Sequence, residues 1–296
     1  MAYNRGMDLD SLRCFVAVAE SLRFREAALR LGRSPAAVSD RVAQLEDDVG
    51  QILLLRSTRR VSLSEAGQRL LPHARLMLEQ AARCGAVARG DDRPLPYALV
   101  LGTRYELGLS WLCPALPALR AARPERTLHL YMGDTDALLD RVETARLDAC
   151  VISSPRLRPG LRAVALHEER YVFVGARGGP TTAAEAEGAR LLDATSDLPL
   201  ARYLLDALPD GRAWRFREHL YLGGIGAIRA LACMGEGVAV LPRYFVEADL
   251  AAGRLVELLP ELPLRADQFR LIWREQHPAE AALRALAAEL AALPLR

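Results

Sequence analysis

Two sets of residues in this sequence have types and spacing suited to chemistry. The first is a basic turn, RSTRR, whose Arg56, Arg59 and Arg60 lie between the short apolar stretches 52–55 and 61–63. Such a turn reads as the tip of a β-hairpin, from which guanidinium groups would point at phosphates or into a minor groove. The second set is short and polar: Thr103-Arg104, Gly133-Asp134-Thr135 and Ser153-Ser154. Each closes an apolar, strand-like stretch, and ligands of α/β sheets gather beyond the carboxyl ends of the strands. Arg104 can clamp a carboxylate and Asp134 can receive an amine, so the pair suits an amino acid or a carboxylate.

Other chemistries find little footing. The cysteines (Cys14, Cys84, Cys113, Cys150, Cys233) form no CxxC pair, and His73, His129, His167, His219 and His277 show no ligand spacing. Neither a metal site nor a disulfide frame is therefore expected, and the thiols read as reduced. No GxSxG elbow is present, and no nucleophile constellation can be assembled, so no enzyme is expected. GGIGAIR at 223–229 resembles a dinucleotide loop, but Arg229 is bulky where close packing asks for Gly or Ala. The acids about twenty residues on, Glu247 and Asp249, fall in a helical pattern and not at a strand end. No cofactor is expected.

The elements that position these residues follow from periodicity. Asp8 can cap a helix carrying Leu9, Leu12, Phe15, Val16 and Ala19, and FREAALRLG makes a second that stops at Gly32. In SPAAVSDRVAQLEDDVG (34–50), Ser34 stands at an N-cap and Pro35 at the first helical position. Val38, Val42, Leu45 and Val49 form its apolar stripe, while its start is trimmed to Ala36, Ala37 and Ser39, with Asp40 and Arg41 beside them. Such a start can lie close against another surface. Three helices and a hairpin make a winged helix-turn-helix over 1–66.

A helix over 67–92 follows. Leu70, Ala74, Met77, Ala81, Cys84 and Ala88 are spaced 4-3-4-3-4, a heptad seam read as a dimer contact. From 93 to 296 strands alternate with helices, which means an α/β body. Lobe I is expected over about 97–174 and 269–296, and lobe II over about 175–268. Charge is divided in the same way. Residues 1–90 hold 14 arginines against 10 acids and residues 91–296 hold 25 against 27, with no lysine anywhere. A basic head on a slightly acidic body suits a polyanion-binding module. No apolar run reaches membrane-spanning length and MAYNRGMDLD lacks a signal-peptide core, so a cytoplasmic protein without membrane contact is expected.

Together MDLDSLRCFVAVAE, AALRLGRSPAAVSDRVAQLEDDVG and RSTRRVSLSEAGQRLLPHAR resemble the amino-terminal domain of LysR-type transcriptional regulators, with the sub-motifs in the family's order. GGIGAIRALACMGEGVAVLP resembles the family's second-lobe helix with its GxGVxxLP ending. The resemblance implies a two-lobed effector domain of periplasmic-binding-protein type behind the winged helix-turn-helix. It places Pro35, Ala36, Ser39 and Asp40 at base-facing positions, with Ser34 and Arg41 adjoining. Pro35 and Asp40 depart from the family's common Gln and Arg or Gln, so no base preference carries over. Gly223, Gly224 and Ile225 complete the implied effector site. The partners implied are double-stranded promoter DNA, a small polar effector, RNA polymerase and further copies of the chain in a homodimer or homotetramer. The rival expectation is a small-molecule-binding protein or enzyme with an appended DNA-binding head.

Overall fold

The computed structural model describes residues 7–56, 61–89, 96–153, 157–208 and 214–295. The amino-terminal module comprises α1 (Leu9–Ser21), α2 (Phe24–Leu31), α3 (Pro35–Val49), the strands β1 (Leu54–Arg56) and β2 (Val61–Leu63), and α4 (Glu65–Ala88). Its helix ends are set locally. Asp8 Oδ1 accepts the amides of Asp10 (2.7 Å) and Ser11 (2.8 Å) to begin α1. Ser34 Oγ accepts that of Ala37 (3.2 Å) to begin α3. Gly32 and Gly50 take the left-handed conformation that stops α2 and α3. Leu12, Phe15, Val18, Val38, Val42, Leu45 and Leu53 fill the core between them. Val49, expected on the inward stripe, is 36% exposed, because the last turn of α3 runs past the core.

The expected seam along α4 is corrected in its first half. Ala74 is fully buried and Leu70 packs against the same core, together with Leu71 and Leu78. Leu71, Ala74 and Leu78 are spaced three and four apart, so they form the face that closes the module's own core, and Ala74 is unavailable to a second chain. Met77, Cys84 and Ala88 remain exposed and Ala81 half-buried. α4 runs through Pro72 without interruption.

The body begins with β3 (Tyr97–Thr103), then α5 (Tyr105–Leu107), which passes through a π-helical turn (Gly108–Leu112) into α6 (Cys113–Ala122). β4 (Arg126–Met132), α7 (Thr135–Glu143), β5 (Ala149–Ser153), β6 (Leu161–Glu169) and β7 (Tyr171–Ala176) follow. Next come α8 (Ala183–Glu187), β8 (Arg190–Asp193), α9 (Ala201–Leu205), β9 (Glu218–Tyr221) and α10 (Ile225–Cys233). The chain ends with β10 (Val238–Pro242), α11 (Arg243–Ala251), β11 (Leu255–Glu257), β12 (Asp267–Arg274) and α12 (Glu280–Ala292).

Two sheets result, one per lobe: β4-β3-β5-β12-β6 and β11-β7-β10-β8-β9. β3 pairs in parallel with β4 and β5, and β12 pairs antiparallel with β5 and β6. The lobe boundaries move from those expected. β7 pairs with β10 and β11, so residues 171–174 belong to lobe II, and β12 begins at Asp267, so 267–268 belong to lobe I. Continuous apolar patterning across RAVALHEERYVFVGA hides the change of sheet, which hydrogen-bond pairing alone decides. Arg170 is the single residue between the two strands.

Gly67 fixes how the wing meets α4. A Cβ at that position would overlap the Leu53 carbonyl oxygen, which is backbone and cannot turn aside. Gly67→Ala would ordinarily favour a helix by up to about 1 kcal/mol. Here the overlap reverses the sign, and a loss of about 1–3 kcal/mol is expected, read as a lowered melting temperature of the amino-terminal module.

Candidate nucleic-acid interface and ligand cleft

The start of α3 stands clear of its own module. Ser34, Pro35, Ala36, Asp40 and Arg41 are exposed and Ser39 is half-buried. Two of the expected arginine contacts are modified by what they touch. Arg41 lies 3.5 Å from Asp8 and 3.3 Å from Asp10, so its charge is shared with the start of α1. Arg56 is not a free phosphate ligand. Its Nη1 donates to Ser39 Oγ (2.9 Å), its Nη2 to Glu46 (3.1 Å), and its guanidinium lies over the Phe24 ring at 4.8 Å. It braces the wing against α2 and α3 because a strand residue facing the α3 groove meets a carboxylate there. Arg59, Arg60 and Ser154 lie outside the described residues.

Glu46 is a functional residue that periodicity missed. Its Oε1 accepts the amides of Leu53 (2.8 Å) and Leu54 (3.0 Å), fastening the strand entering the wing to α3. The only sequence signal was its place in LE…G at the end of that helix.

Between the lobes the expected polar groups gather at the carboxyl ends of β3, β4 and β5, facing the start of α10. Arg104 donates to Glu169 Oε1 (3.0 Å) and reaches Ser153 Oγ at 3.4 Å. Glu169 is fully buried, so the carboxylate that Arg104 was expected to take from a ligand is supplied by the chain itself. Burial opposes the Arg104 charge, yet Glu169, aided by Tyr244 and Tyr171, holds its pKa above the ordinary value. Burial likewise pushes the Tyr171 and Tyr244 phenols up, and Tyr203, which donates to Asp267, up to about 12. Arg104 Nε, Thr103 Oγ1, Glu169 Oε2 and the Tyr244 hydroxyl are buried and find no hydrogen-bond partner among the described residues.

Asp134 is exposed at the N-cap position of α7, its side chain unused by the cap, with Gly133 and Thr135 half-buried around it. Across the cleft Gly223 takes a left-handed conformation (φ 76°) and leads through Gly224 into Ile225, the first residue of α10. A third carboxylate arrives there from lobe I. Glu106 Oε1 lies 3.4 Å and 3.6 Å from the points where side chains on Gly224 and Gly226 would begin. This carboxylate thus lies in van der Waals range of the start of the helix, where free N–H groups favour negative charge. Glu106 and Glu169 were absent from the sequence reading, since each becomes part of a site only through contact with distant segments.

The dinucleotide alternative is answered within lobe II. Arg229 and Arg254 both bind Asp249, which is 1% exposed on α11, so the acid is paired internally. Burial raises the Asp249 pKa, and the two guanidinium groups more than offset this, holding it below 3.8.

Residues 94–293 match the family described as "LysR substrate binding domain". Residues 9–68 match "Bacterial regulatory helix-turn-helix protein, lysR family". The chain belongs to the LysR family. A probable hydrogen peroxide-inducible genes activator of Mycobacterium avium is 32% identical over 292 residues, covering 93% of this chain and 91% of its own. The transcriptional activator IlvY of Salmonella typhimurium is 29% identical over 252 residues, covering 81% and 84%. Among solved structures, full-length OxyR from Pseudomonas aeruginosa has a TM-score of 0.71 at 24% identity, covering 98% of this chain and 97% of its own. ArgP from Mycobacterium tuberculosis has a TM-score of 0.69 at 24% identity, covering 95% and 96%. These two speak to the fold: a helix-turn-helix region followed by a two-lobed α/β domain. This LysR-family protein is a DNA-binding transcriptional regulator with an effector-binding domain, and its relatives are regulators and not enzymes. Among the described residues no helix is long and apolar enough to cross a membrane.

Two outcomes are expected from this geometry. Arg56→Ala should lower the stability of the amino-terminal module by about 1 kcal/mol while leaving the salt dependence of DNA binding unchanged. A phosphate ligand would instead reduce the slope of log K against log salt by about 0.9, so binding titrations across salt concentrations separate the two. The stability that Asp249 lends through its lowered pKa should be complete above pH 3.8. It should be lost as pH falls through the folded-state value, and Asp249→Asn should flatten that part of an acid-denaturation profile.

Proposed function

We propose that the chain acts in the cytoplasm as a homodimer or homotetramer that reads promoter DNA and answers to a small amino-acid-like effector held between the lobes. Ser34, Pro35, Ala36, Ser39, Asp40 and Arg41 are the proposed DNA-facing set, because they surround the exposed start of α3. Arg59 and Arg60 are proposed as the phosphate ligands of the wing. Dimer contact is assigned to the outer half of α4, through Met77, Ala81, Cys84 and Ala88, where the helix carries exposed apolar surface.

The observation that carries the effector reading is Glu106 over Gly224 and Gly226. A carboxylate of the protein stands at the anion-favouring helix start, in the place proposed for the carboxylate of an effector. The entering group would displace Glu106, and Glu106 with Asp134 would then be free to receive the ammonium. Thr103, Arg104, Gly133, Thr135 and Ser153 frame the lobe I side, and Gly223, Gly224 and Ile225 the other; Ser154, expected with them, lies outside the described residues. Displacement alters the contact between lobes, and α4 carries the change to the paired α3 helices and to RNA polymerase at the promoter. The effector is released unchanged.

A second reading comes from the relatives named as peroxide-inducible activators. A thiol sensor needs an accessible thiolate. Cys150 is buried and pushed up to about 12, and burial also raises Cys14 and Cys233. Those three thiols do not suit a sensor, which leaves the exposed Cys84 and the half-buried Cys113 as the accessible ones.

The deciding experiment is selection of bound duplexes from a random pool at one fixed salt concentration, with and without an amino-acid mixture. Paired half-sites whose retention changes with one amino acid are expected; selection identical in every condition would remove the effector claim. Glu106→Ala should tighten binding of a carboxylate that lacks an ammonium group roughly two- to fivefold, measured by calorimetry. Met77→Glu with Ala81→Glu should shift the chain toward monomer in sedimentation while α1–α3 stay folded.

A further inference from the structure

A cavity of about 400 Å³ lies between α4 and lobe I, on the far side of lobe I from the cleft residues just described. Pro72 and Leu76 of α4 form one wall, and Leu99, Ala279 and Ala282 form another. The polar groups in it are unevenly satisfied. Asp148 accepts the Val100 amide (2.7 Å) and pairs with the buried His277 (3.3 Å). Arg123 pairs with Glu289 (2.8 Å), and Arg75 reaches Glu20 on α1 (3.2 Å). Arg274 is different. Among the described residues its buried Nε has no hydrogen-bond partner and no carboxylate lies within ion-pair distance of its guanidinium.

Burial lowers the pKa of Arg274, and the like charge of Arg75 on α4 lowers it further, against the attraction of Asp148. A guanidinium does not deprotonate under ordinary conditions, so it keeps its charge, which among the described residues no carboxylate meets at ion-pair distance. Mostly apolar walls with one or two convergent charges are the pattern of a small-molecule site, and the volume falls within the range of such sites. We propose that this cavity binds a small organic acid, with its carboxylate on Arg274 and Arg75 and its apolar body against Ala279, Ala282 and Leu76. Arg75 belongs to the DNA-reading module and Arg274 to the effector domain, so the occupant ties the two together. The site is separate from the cleft and does not depend on which effector the cleft takes.

The test is calorimetric titration of the full-length chain with hexanoate, using hexan-1-ol as the uncharged control. Hexanoate should bind, and hexan-1-ol should bind at least about tenfold more weakly, the worth of a charge-assisted contact. Arg274→Gln should weaken hexanoate by about tenfold or more without lowering the melting temperature, since it removes a half-buried charge that forms no ion pair among the described residues. Ala282→Phe should weaken it from the apolar side, and Glu106→Gln in the cleft should leave it unchanged. Absence of binding to the wild-type chain overturns the proposal, as does equal affinity in wild type and Arg274→Gln. So does tighter binding in Glu106→Gln, which would place the ligand in the cleft. Affinity that falls as protein concentration rises would assign the cavity to a second copy of the chain and equally overturn it.

Discussion

Glu169 is the last residue of β6, fully buried, and only Arg170 separates it from the first strand of the other lobe. A carboxylate removed from water at that point costs several kcal/mol unless a cation meets it. Arg104, at the end of β3, is that cation, and the pair ties the ends of two lobe I strands together one residue before the chain crosses to lobe II. Tyr171, Tyr203 and Tyr244 crowd around it, their phenols kept neutral by the same burial. Much of the cleft's polarity is therefore internal. An arginine that looks like a ligand clamp in one dimension is the counter-ion of a hinge in three. With Arg104 committed, the start of α10 is the place left for an anion, and it is there that Glu106 stands.

The amino-terminal module rests on a comparable internal bond. Glu46 ties two wing amides and Arg56 to α3, so the wing is positioned by the same helix whose start is exposed. That sharing explains why the first turns of α3 are short and uncrowded while its second half is charged: one half is open, the other anchors. α4 is shared in the same sense. Its Leu71, Ala74 and Leu78 close the core of the module, its other side walls a cavity against lobe I, and its outer half keeps apolar groups in solvent. One helix thus touches both the amino-terminal module and lobe I, and a change in either contact bears on the other.

The sequence by itself determined the element types and their order. Capping residues, Gly stops and apolar periodicity act within a few residues, so the three helices, the wing, α4 and the alternating strands of the body were legible before any contact was known. Motif order was enough for the family, because sub-motifs that are weak singly coincide only by common descent. The exposed start of α3 and the strand-end polar groups were legible too, since topology puts such positions at open ends. Tertiary structure alone decided which partner each side chain takes. Whether Arg56 meets a phosphate or Ser39 and Glu46, whether Arg104 meets a ligand or Glu169, and whether Ala74 faces a second chain or its own core all depend on residues tens of positions away. The change of sheet at Arg170 is of the same kind, because strands of both lobes share one apolar pattern and differ only in which neighbours accept their hydrogen bonds. Local rules see spacing, whereas pairing is a property of distances that the folded chain creates.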